Sequence, residues 1–302
     1  MRILAIDGGG IRGYYAAHIL RRVKESFGTE FHNEFDLIAG TSTGSIIAAA
    51  LAVGIPIERV CSLYEVHGHE IFKPARLSLG GMLKPSYSQR TLKRILEQEF
   101  GELTLKDAKT RLIIPSTDIG NGQVHVFKST YSDDFKRDGR VKVADAVLAS
   151  CSAPKYFRPA YIDPYLLADG GLWANNPSLV AVTETLTRLD VSKDTIRLLS
   201  VGTGIGKNYY SLARTNSLWG FLTGWGLRRF IEMFLNLQSI HSHNVVSLLL
   251  SGEQFVRINF EIDRSLPLDD PNMLPDLKSR ADRGFTTASA DIERLLRGSH
   301  EA

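Results

Sequence analysis

A serine between two glycines is the first residue whose surroundings indicate chemistry. The run Gly40-Thr41-Ser42-Thr43-Gly44 fits the pattern G-x-S-x-G, in which a serine sits on the sharp turn from a strand into a helix. A short apolar run precedes it, and the alanine-rich residues 46–52 follow it. The flanking glycines let the two backbones pack closely, and the helix start adds free N–H groups beside the hydroxyl. We therefore predict that Ser42 is a nucleophile.

A glycine-rich loop near the amino terminus is the second candidate. Asp7-Gly8-Gly9-Gly10-Ile11-Arg12-Gly13 lies between a predicted strand, Arg2–Ile6, and a predicted helix over residues 14–27. Consecutive glycines leave backbone N–H groups accessible, so the loop is predicted to form an oxyanion hole. The loop also satisfies G-x-G-x-x-G, the dinucleotide pattern, which needs an acidic residue at the end of the second strand. That strand ends instead in Gly40-Thr41-Ser42, which favours the oxyanion hole.

Asp169 is the third candidate, because it ends a short apolar run and precedes Gly170-Gly171. An aspartate can act as a base when burial raises its pKa towards the working pH. An aspartate in a glycine turn is also a common structural feature. His241 and His243 come later in the chain, so the order alone permits a triad with a histidine. We favour a pair without histidine, because Ser42 comes after only one strand and helix.

Composition sets limits on the class of protein. The chain has 302 residues, of which 43 % are hydrophobic and 23 % are charged, as in soluble globular proteins. Its net charge of +3 is too small to indicate a nucleic-acid partner. Cys61 and Cys151 lack metal-ligand spacing and are predicted to be reduced core thiols. Asp7 interrupts the amino-terminal apolar run, and residues 46–57 are too short to span a bilayer. We therefore expect a cytoplasmic protein that associates peripherally with the inner face of the membrane when active.

The remaining apolar patterns alternate between strand and helix periods, as in an α/β protein. Predicted helices cover residues 57–71, 89–100 and 143–150, and predicted strands cover 111–117, 123–129, 166–168, 197–201 and 254–260. Residues 212–250 carry two tryptophans beside Arg228 and Arg229, and are predicted as either a buried core helix or an interfacial element that touches lipid. Residues 269–275 are predicted as a linker, and 291–297 as part of a terminal helix.

Taken together, the three motifs resemble those of the patatin-like phospholipase family in order and in spacing. Residues 149–157, Asn175-Asn176-Pro177 and residues 199–204 are also similar to family blocks, so the similarity runs from about residue 3 to about residue 260. The resemblance implies a three-layer α/β/α sandwich with a mainly parallel central sheet. It also implies a single domain over residues 1–302, with a core to about residue 262 and a helical extension over about 263–302.

The same resemblance implies roles for individual residues. Ser42 would be the nucleophile, Asp169 the base, and the amides of Gly8, Gly9 and Gly10 the oxyanion hole. The supporting residues would be Arg12, Gly40, Gly44 and Gly170. Arg12 would either brace the glycine loop or bind a phosphate headgroup. The implied activity is that of a carboxylic ester hydrolase, a phospholipase A1 or A2, which cleaves fatty acyl esters of membrane phospholipids through an acyl-enzyme without metal or other cofactor.

The chain is also similar to bacterial patatin-like effectors that a cyclic nucleotide activates in defence against phage. Lys73, Arg76 and Lys84 lie in a loop that could hold phosphates, although such charges are usually solvated. The expected partners are a phospholipid membrane and a cyclic di- or trinucleotide, with no DNA or RNA, and a homo-oligomer is left open. The alternative is a non-catalytic lipid- or nucleotide-binding module that uses the loop Gly8 to Gly13.

Overall fold

A mainly parallel sheet organises the part of the chain that the computed structural model describes: residues 1–75, 81, 83–132, 134–135, 137–206, 210 and 218–297, without the side chains of residues 221, 222, 227 and 228. The strands of this part are β1 (Arg2–Ile6), β2 (Leu37–Gly40), β3 (Arg111–Asp118), β4 (Gln123–Lys128), β5 (Ala160–Ile162), β6 (Tyr165–Asp169), β7 (Arg197–Val201), β8 (Ile205–Gly206), β9 (Phe255–Ile258) and β10 (Glu261–Ile262). Strands β8 and β10 pair with each other, and the other eight form the sheet.

The pairing of the strands brings three strand ends together. Strands β9, β7, β1, β2 and β3 lie side by side and run parallel. Ile6 at the end of β1 is in register with Gly40 at the end of β2, so the segments that follow them emerge next to each other. Strand β6 runs antiparallel to β3 and places Asp169 opposite Ser116. Asp169 therefore approaches the ends of β1 and β2 from the opposite direction.

Helices cover both faces of the sheet. The helices in the described residues are α1 (Gly13–Phe27), α2 (Phe31–Glu34), α3 (Thr43–Val53), α4 (Ile57–Ile71), α5 (Gln89–Phe100), α6 (Val143–Ser150), α7 (Gly171–Ala174), α8 (Ser178–Thr187), α9 (Leu227–Leu249) and α10 (Leu274–Arg297). Side chains of a strand alternate between faces, so Leu4 and Ile6 pack with α1, α3 and α4, whereas Ile3 and Ala5 pack with α8 and α9. The predicted α/β/α arrangement with a mainly parallel sheet is confirmed.

Helix α3 is the central helix of the first layer. All eleven of its residues are buried, which agrees with a helix that is apolar on every side. Its small residues Ala48, Ala49 and Ala50 let it lie close to the sheet, to α4 and to α6. The helix that follows Ser42 is therefore fixed on all sides.

The carboxyl-terminal part differs from the predicted linker. Helix α10 begins at Leu274 and includes Pro275, because a proline in the first turn loses no intrahelical hydrogen bond. Its buried residues Leu277, Ala281 and Phe285 recur every four positions and join the core beside α1. Within the described ranges, no helix is long and apolar enough to cross a bilayer.

Candidate active site

Ser42 lies on a strained corner between β2 and α3. Its backbone has φ 52° and ψ −126°, a conformation that side-chain-bearing residues rarely adopt and that costs on the order of 1–3 kcal/mol. A Cβ on Gly40 would lie 2.2 Å from the carbonyl oxygen of Gly44, and one on Gly44 would lie 2.3 Å from that of Ile6. Only glycine fits at either position, so both flanking glycines of the motif are required by packing.

Hydrogen bonds hold this corner in place. The amide of Ser42 donates to Oγ of Ser150 (2.9 Å), whose hydroxyl donates to the carbonyl of Pro115 (2.6 Å). The hydroxyl of Thr41 donates to the carbonyl of Ala174 (2.6 Å). These bonds offset the backbone strain. Ser150 had no assigned role in the sequence, because a buried serine in a small-residue helix carries no local signal of its long-range partner.

Asp169 contacts the serine directly. The hydroxyl of Ser42 donates to Oδ2 of Asp169 at 2.6 Å, and the amide of Gly171 donates to Oδ1 at 2.6 Å. The side chain is buried, with 5 % of its residue exposed. Burial raises the pKa of Asp169 from 3.8 to about 6, although the hydrogen bonds from Ser42 and Gly171 act in the opposite direction. A carboxylate with this pKa can accept a proton from a nucleophile near neutral pH.

The turn after Asp169 also depends on glycine. A Cβ on Gly170 would lie 2.3 Å from the carbonyl oxygen of Pro115 in β3. A side chain there would push the turn away from the sheet. Gly170 therefore keeps the carboxylate within reach of Ser42.

The amides of the glycine-rich loop are not equivalent. The Gly8 amide donates to the carbonyl of Asn175 at 2.9 Å and is already paired. In the described part of the chain no acceptor is found for the amides of Gly9 and Gly10, and both residues line the cavity beside Ser42. Of the three amides predicted to form an oxyanion hole, those of Gly9 and Gly10 are therefore available in the described structure, and that of Gly8 is occupied. A side chain on Gly8 would still disturb the site, because its Cβ would lie 2.5 Å from Oδ1 of Asn175 and 3.1 Å from Cβ of Ser42.

Two side chains hold the carbonyls of this loop. Arg12 donates from Nε to the carbonyl of Gly9 at 3.2 Å, and the hydroxyl of Thr203 donates to the carbonyl of Gly8 at 2.7 Å. Arg12 is buried, and burial lowers the pKa of its guanidinium to about 10, so it stays charged at neutral pH. Two roles were left open for Arg12, and its position supports the one in which it stabilises the glycine loop.

An ion pair fixes the start of the loop. Both Asp7 carboxylate oxygens accept from Arg257 in β9, at 2.6 and 2.8 Å, and Oδ2 also accepts from Ser239 at 2.6 Å. Asp7 and the arginine are both largely buried, so the pair is bidentate and shielded from water. Sequence reasoning missed Arg257, because its partner lies 250 residues earlier.

An apolar cavity of about 330 Å³ opens beside Ser42 and Asp169. Most of its wall is apolar, with contributions from α4, α9 and the segment after α6: Leu63, Ile71, Ala153, Tyr156, Phe157, Phe230, Ile231, Phe234 and Leu235. The volume falls in the range of small-molecule sites. Such a wall suits a hydrocarbon chain better than a polar ligand.

An exposed aromatic cluster lies at the start of α9. It consists of Tyr210, Trp219 and Trp225, whose rings are 5.4 to 5.7 Å apart, and Leu218 beside it is 81 % exposed. Trp225 also contacts Phe230 of the cavity wall, at 6.1 Å between ring centroids. The surface cluster is therefore continuous with the cavity. Residues 212–217 of the predicted interfacial segment lie outside the described residues.

Among the other candidate residues that the structure describes, Cys151 lines the cavity and the rest do not. No histidine is found in its lining within the described ranges: His243 packs against Phe255 and His241 is exposed. Lys73 and Lys84 are exposed, and Arg76 lies outside the described residues. Cys61 and Cys151 are both free and buried. The described residues hold no group of His, Cys, Asp and Glu that could bind a metal ion.

The fold and the corner at Ser42 define a class, that of α/β proteins with the site geometry of serine hydrolases. Comparison with known families narrows the class. The family model described as "Patatin-like phospholipase" matches residues 4–182. The chain belongs to the patatin-like phospholipase family.

Relatives in this family carry more specific names. A "cGAMP-activated phospholipase" of Pseudomonas aeruginosa is 37 % identical over 206 residues, which cover 67 % of this chain and 62 % of the relative. A "cUMP-AMP-activated phospholipase" of Escherichia coli is 30 % identical over 313 residues, which cover 98 % of this chain and 93 % of the relative. Among solved structures, VipD from Legionella pneumophila matches with a TM-score of 0.48 and 13 % identity, over 98 % of this chain and 66 % of VipD.

Proposed function

We propose that this chain is a serine lipid acyl hydrolase of the phospholipase A type, in which Ser42 and Asp169 form a catalytic dyad. The observation that carries the proposal is the 2.6 Å hydrogen bond between Ser42 Oγ and Asp169 Oδ2, at the side of an apolar cavity. The raised pKa of Asp169 supports its role as base. We also propose that residues of α10 belong to the same catalytic domain, because their buried face joins the core beside α1.

The contacts at the dyad support a two-step mechanism. Ser42 Oγ attacks the ester carbonyl while Asp169 takes its proton, and the Gly9 and Gly10 amides donate to the oxyanion. Collapse of the tetrahedral intermediate expels the lysolipid alkoxide, which receives the proton from Asp169, and leaves an acyl-enzyme. Asp169 then takes a proton from water as the water attacks the acyl carbonyl. Collapse of this second intermediate breaks the bond to Ser42 Oγ, which receives the proton from Asp169, and the fatty acid leaves. The bond from the Gly171 amide keeps the carboxylate aimed at Ser42 throughout.

The surface around the cavity supports action on lipid in a membrane. Tryptophan is favoured at the headgroup level of bilayers, and Arg229 lies over the ring of Tyr210 at 5.4 Å, next to Trp225. We propose that this aromatic cluster rests on the bilayer, so that an acyl chain passes from the membrane into the cavity. Trp219→Ala with Trp225→Ala should weaken sedimentation with anionic vesicles and lower hydrolysis of vesicle lipid more than hydrolysis of a soluble short-chain ester. Equal effects on both substrates would contradict the surface role.

Regulation is proposed from the relatives. Both of the relatives described above are named for activation, one by cGAMP and the other by cUMP-AMP, so we propose that a cyclic dinucleotide activates this chain as well. The test is hydrolysis of a fluorogenic phospholipid with and without a panel of cyclic di- and trinucleotides. A rate that none of them changes would remove the regulatory proposal and leave the hydrolase proposal standing.

Covalent labelling tests the dyad. A fluorophosphonate probe should label the wild-type chain, and Ser42→Ala should abolish both the label and hydrolysis of the fluorogenic phospholipid. Asp169→Asn should keep the fold and lose nearly all hydrolysis. Hydrolysis that persists in Asp169→Asn and disappears in His241→Ala or His243→Ala would refute the dyad. A folded wild-type chain that neither labels nor hydrolyses, with and without the nucleotide panel, would indicate a binding module instead.

A further inference from the structure

Two neighbouring asparagines after Asp169 have different surroundings. Asn176 has a structural role, because its Oδ1 accepts from the Ser178 amide at 2.9 Å at the start of α8 and its Nδ2 donates to the carbonyl of Ser239 at 3.4 Å. Asn175 is also buried, with 6 % exposed, yet its side-chain amide has no hydrogen-bond partner among the described residues. Because it lines the cavity, its amide is open to whatever the cavity holds. A polar group on a cavity wall that has no protein partner is available to a ligand.

The Asn175 side chain lies against both halves of the site. A Cβ placed on Gly8 would be 2.5 Å from Oδ1 of Asn175 and 3.1 Å from Cβ of Ser42. A Cβ placed on Gly171 would be 2.9 Å from Oδ1 of Asp169 and 3.2 Å from Oδ1 of Asn175. The amide group therefore lies between the serine corner and the aspartate. Rotation of the amide about its last bond exchanges Oδ1 and Nδ2, which lets a donor face the same space.

The main chain of Asn175 explains why a further donor is needed. Its carbonyl accepts the Gly8 amide at 2.9 Å, which removes that N–H from the oxyanion hole. Only the amides of Gly9 and Gly10 remain free in this loop within the described residues. Asn175 thus pairs with the Gly8 amide through its carbonyl and places its own side-chain NH₂ group beside Ser42.

We propose that Asn175 Nδ2 is a third hydrogen-bond donor to the ester oxygen, acting with the Gly9 and Gly10 amides in the transition state. This inference rests on the proposed hydrolase function and adds a catalytic residue to it. A side-chain amide can fill this role, because an NH₂ fixed in a site shielded from water stabilises the charge that develops on the oxygen. The sequence signal was present in Asn175-Asn176-Pro177, but only the fold separates the role of one asparagine from that of the other.

The test compares Asn175→Ala, Asn175→Asp and the control Asn176→Asp in steady-state hydrolysis of a fluorogenic phospholipid in mixed micelles. Both Asn175 variants should lower kcat about 10²- to 10³-fold, the loss typical of one oxyanion donor, and leave KM within about threefold. Labelling by the fluorophosphonate should slow as well, because its phosphoryl oxygen occupies the same hole. Asn176→Asp keeps the acceptor that the Ser178 amide needs, so it should retain kcat within about threefold.

Three results would overturn the role of Asn175: kcat within about threefold of wild type in both Asn175 variants, a loss of kcat as large in Asn176→Asp, or a rise in KM with unchanged kcat. Thermal unfolding of each variant separates a folding defect from a catalytic one. For a destabilised variant, the rate of fluorophosphonate labelling is divided by the amount of folded protein, so that only the catalytic effect is compared. Failure of the hydrolase proposal looks different, because the wild-type chain itself would then neither label nor hydrolyse.

Discussion

Asp169→Asn is expected to stabilise the protein while it abolishes activity. Folding raises the pKa of Asp169 from 3.8 to about 6, so keeping the carboxylate ionised in the folded state at pH 7 costs about 3 kcal/mol. At pH 5 most of the group is protonated when folded, and the cost falls to about 1.5 kcal/mol. An asparagine has no such cost. It keeps an oxygen for the Gly171 amide and an NH₂ that can donate to Ser42 Oγ.

The sign of the effect follows from the direction of the shift. Because the folded pKa lies above the unfolded pKa, protonation of Asp169 favours the folded state below about pH 4, and that contribution is lost as the pH rises through about 6. The asparagine variant does not titrate there. Its free energy of unfolding relative to wild type should therefore increase by about 1.5 kcal/mol between pH 5 and pH 7.

Urea denaturation of both proteins at pH 5, 6 and 7, followed by tryptophan fluorescence, measures this difference. Asp194→Asn is the matched control, because Asp194 is exposed and lies just before β7 begins, at the end of the parallel strands opposite to Ser42. The control difference should stay constant with pH. A difference for Asp169→Asn that is also flat, or that shrinks as the pH rises, would refute the claim that burial raises the pKa of this carboxylate.

Three further expectations concern the same corner. With Asp169 as base, kcat/KM should rise about tenfold per pH unit below about pH 6 and level off above it, measured on a non-ionising ester; a profile flat from pH 5 to 8 would contradict the base. The free energy of unfolding of Ser42→Gly should exceed that of Ser42→Ala by about 1 kcal/mol in urea denaturation, because alanine has a side chain at the strained φ and glycine has none. Gly44→Ala, whose Cβ would meet the Ile6 carbonyl, should lose about 3 kcal/mol or more of stability, whereas Gly252→Ala, with open space around it, should change little in the same titration.

Local signals in the sequence predicted much of the fold and the centre of the site. The predicted strand Arg2–Ile6 and the predicted helices 57–71, 89–100 and 143–150 have the bounds that the structure gives, because each has a clear apolar period and a glycine, proline or serine at an end. Ser42 and Asp169 were each marked by glycines that a tight turn requires. The approach of these two residues was expected from the family resemblance, and the structure places them in contact.

Long-range pairing explains what the sequence could not predict. The Gly8 amide looked as free as those of its neighbours, and only the fold brings the Asn175 carbonyl to it. The first turn of α10 was hidden by Pro275, which usually signals a break but is tolerated at a helix start. The pKa of Asp169 depends on burial under segments far away in the chain, which no local pattern reveals.

The hydrogen bonds between the glycine-rich loop and residues 257–268 have a consequence during protein synthesis. The glycine-rich loop is held by Arg257 at Asp7, and the amide of Ile11 donates to the carbonyl of Leu268 at 2.9 Å. A ribosome makes Ser42 early, but a growing chain that stops short of Leu268 lacks the bonds that shape the loop beside it. Ser42 is thus translated long before its surroundings can assemble, so a proteolytic or translational fragment that ends before Leu268 would lack the loop geometry on which the proposed hydrolysis depends.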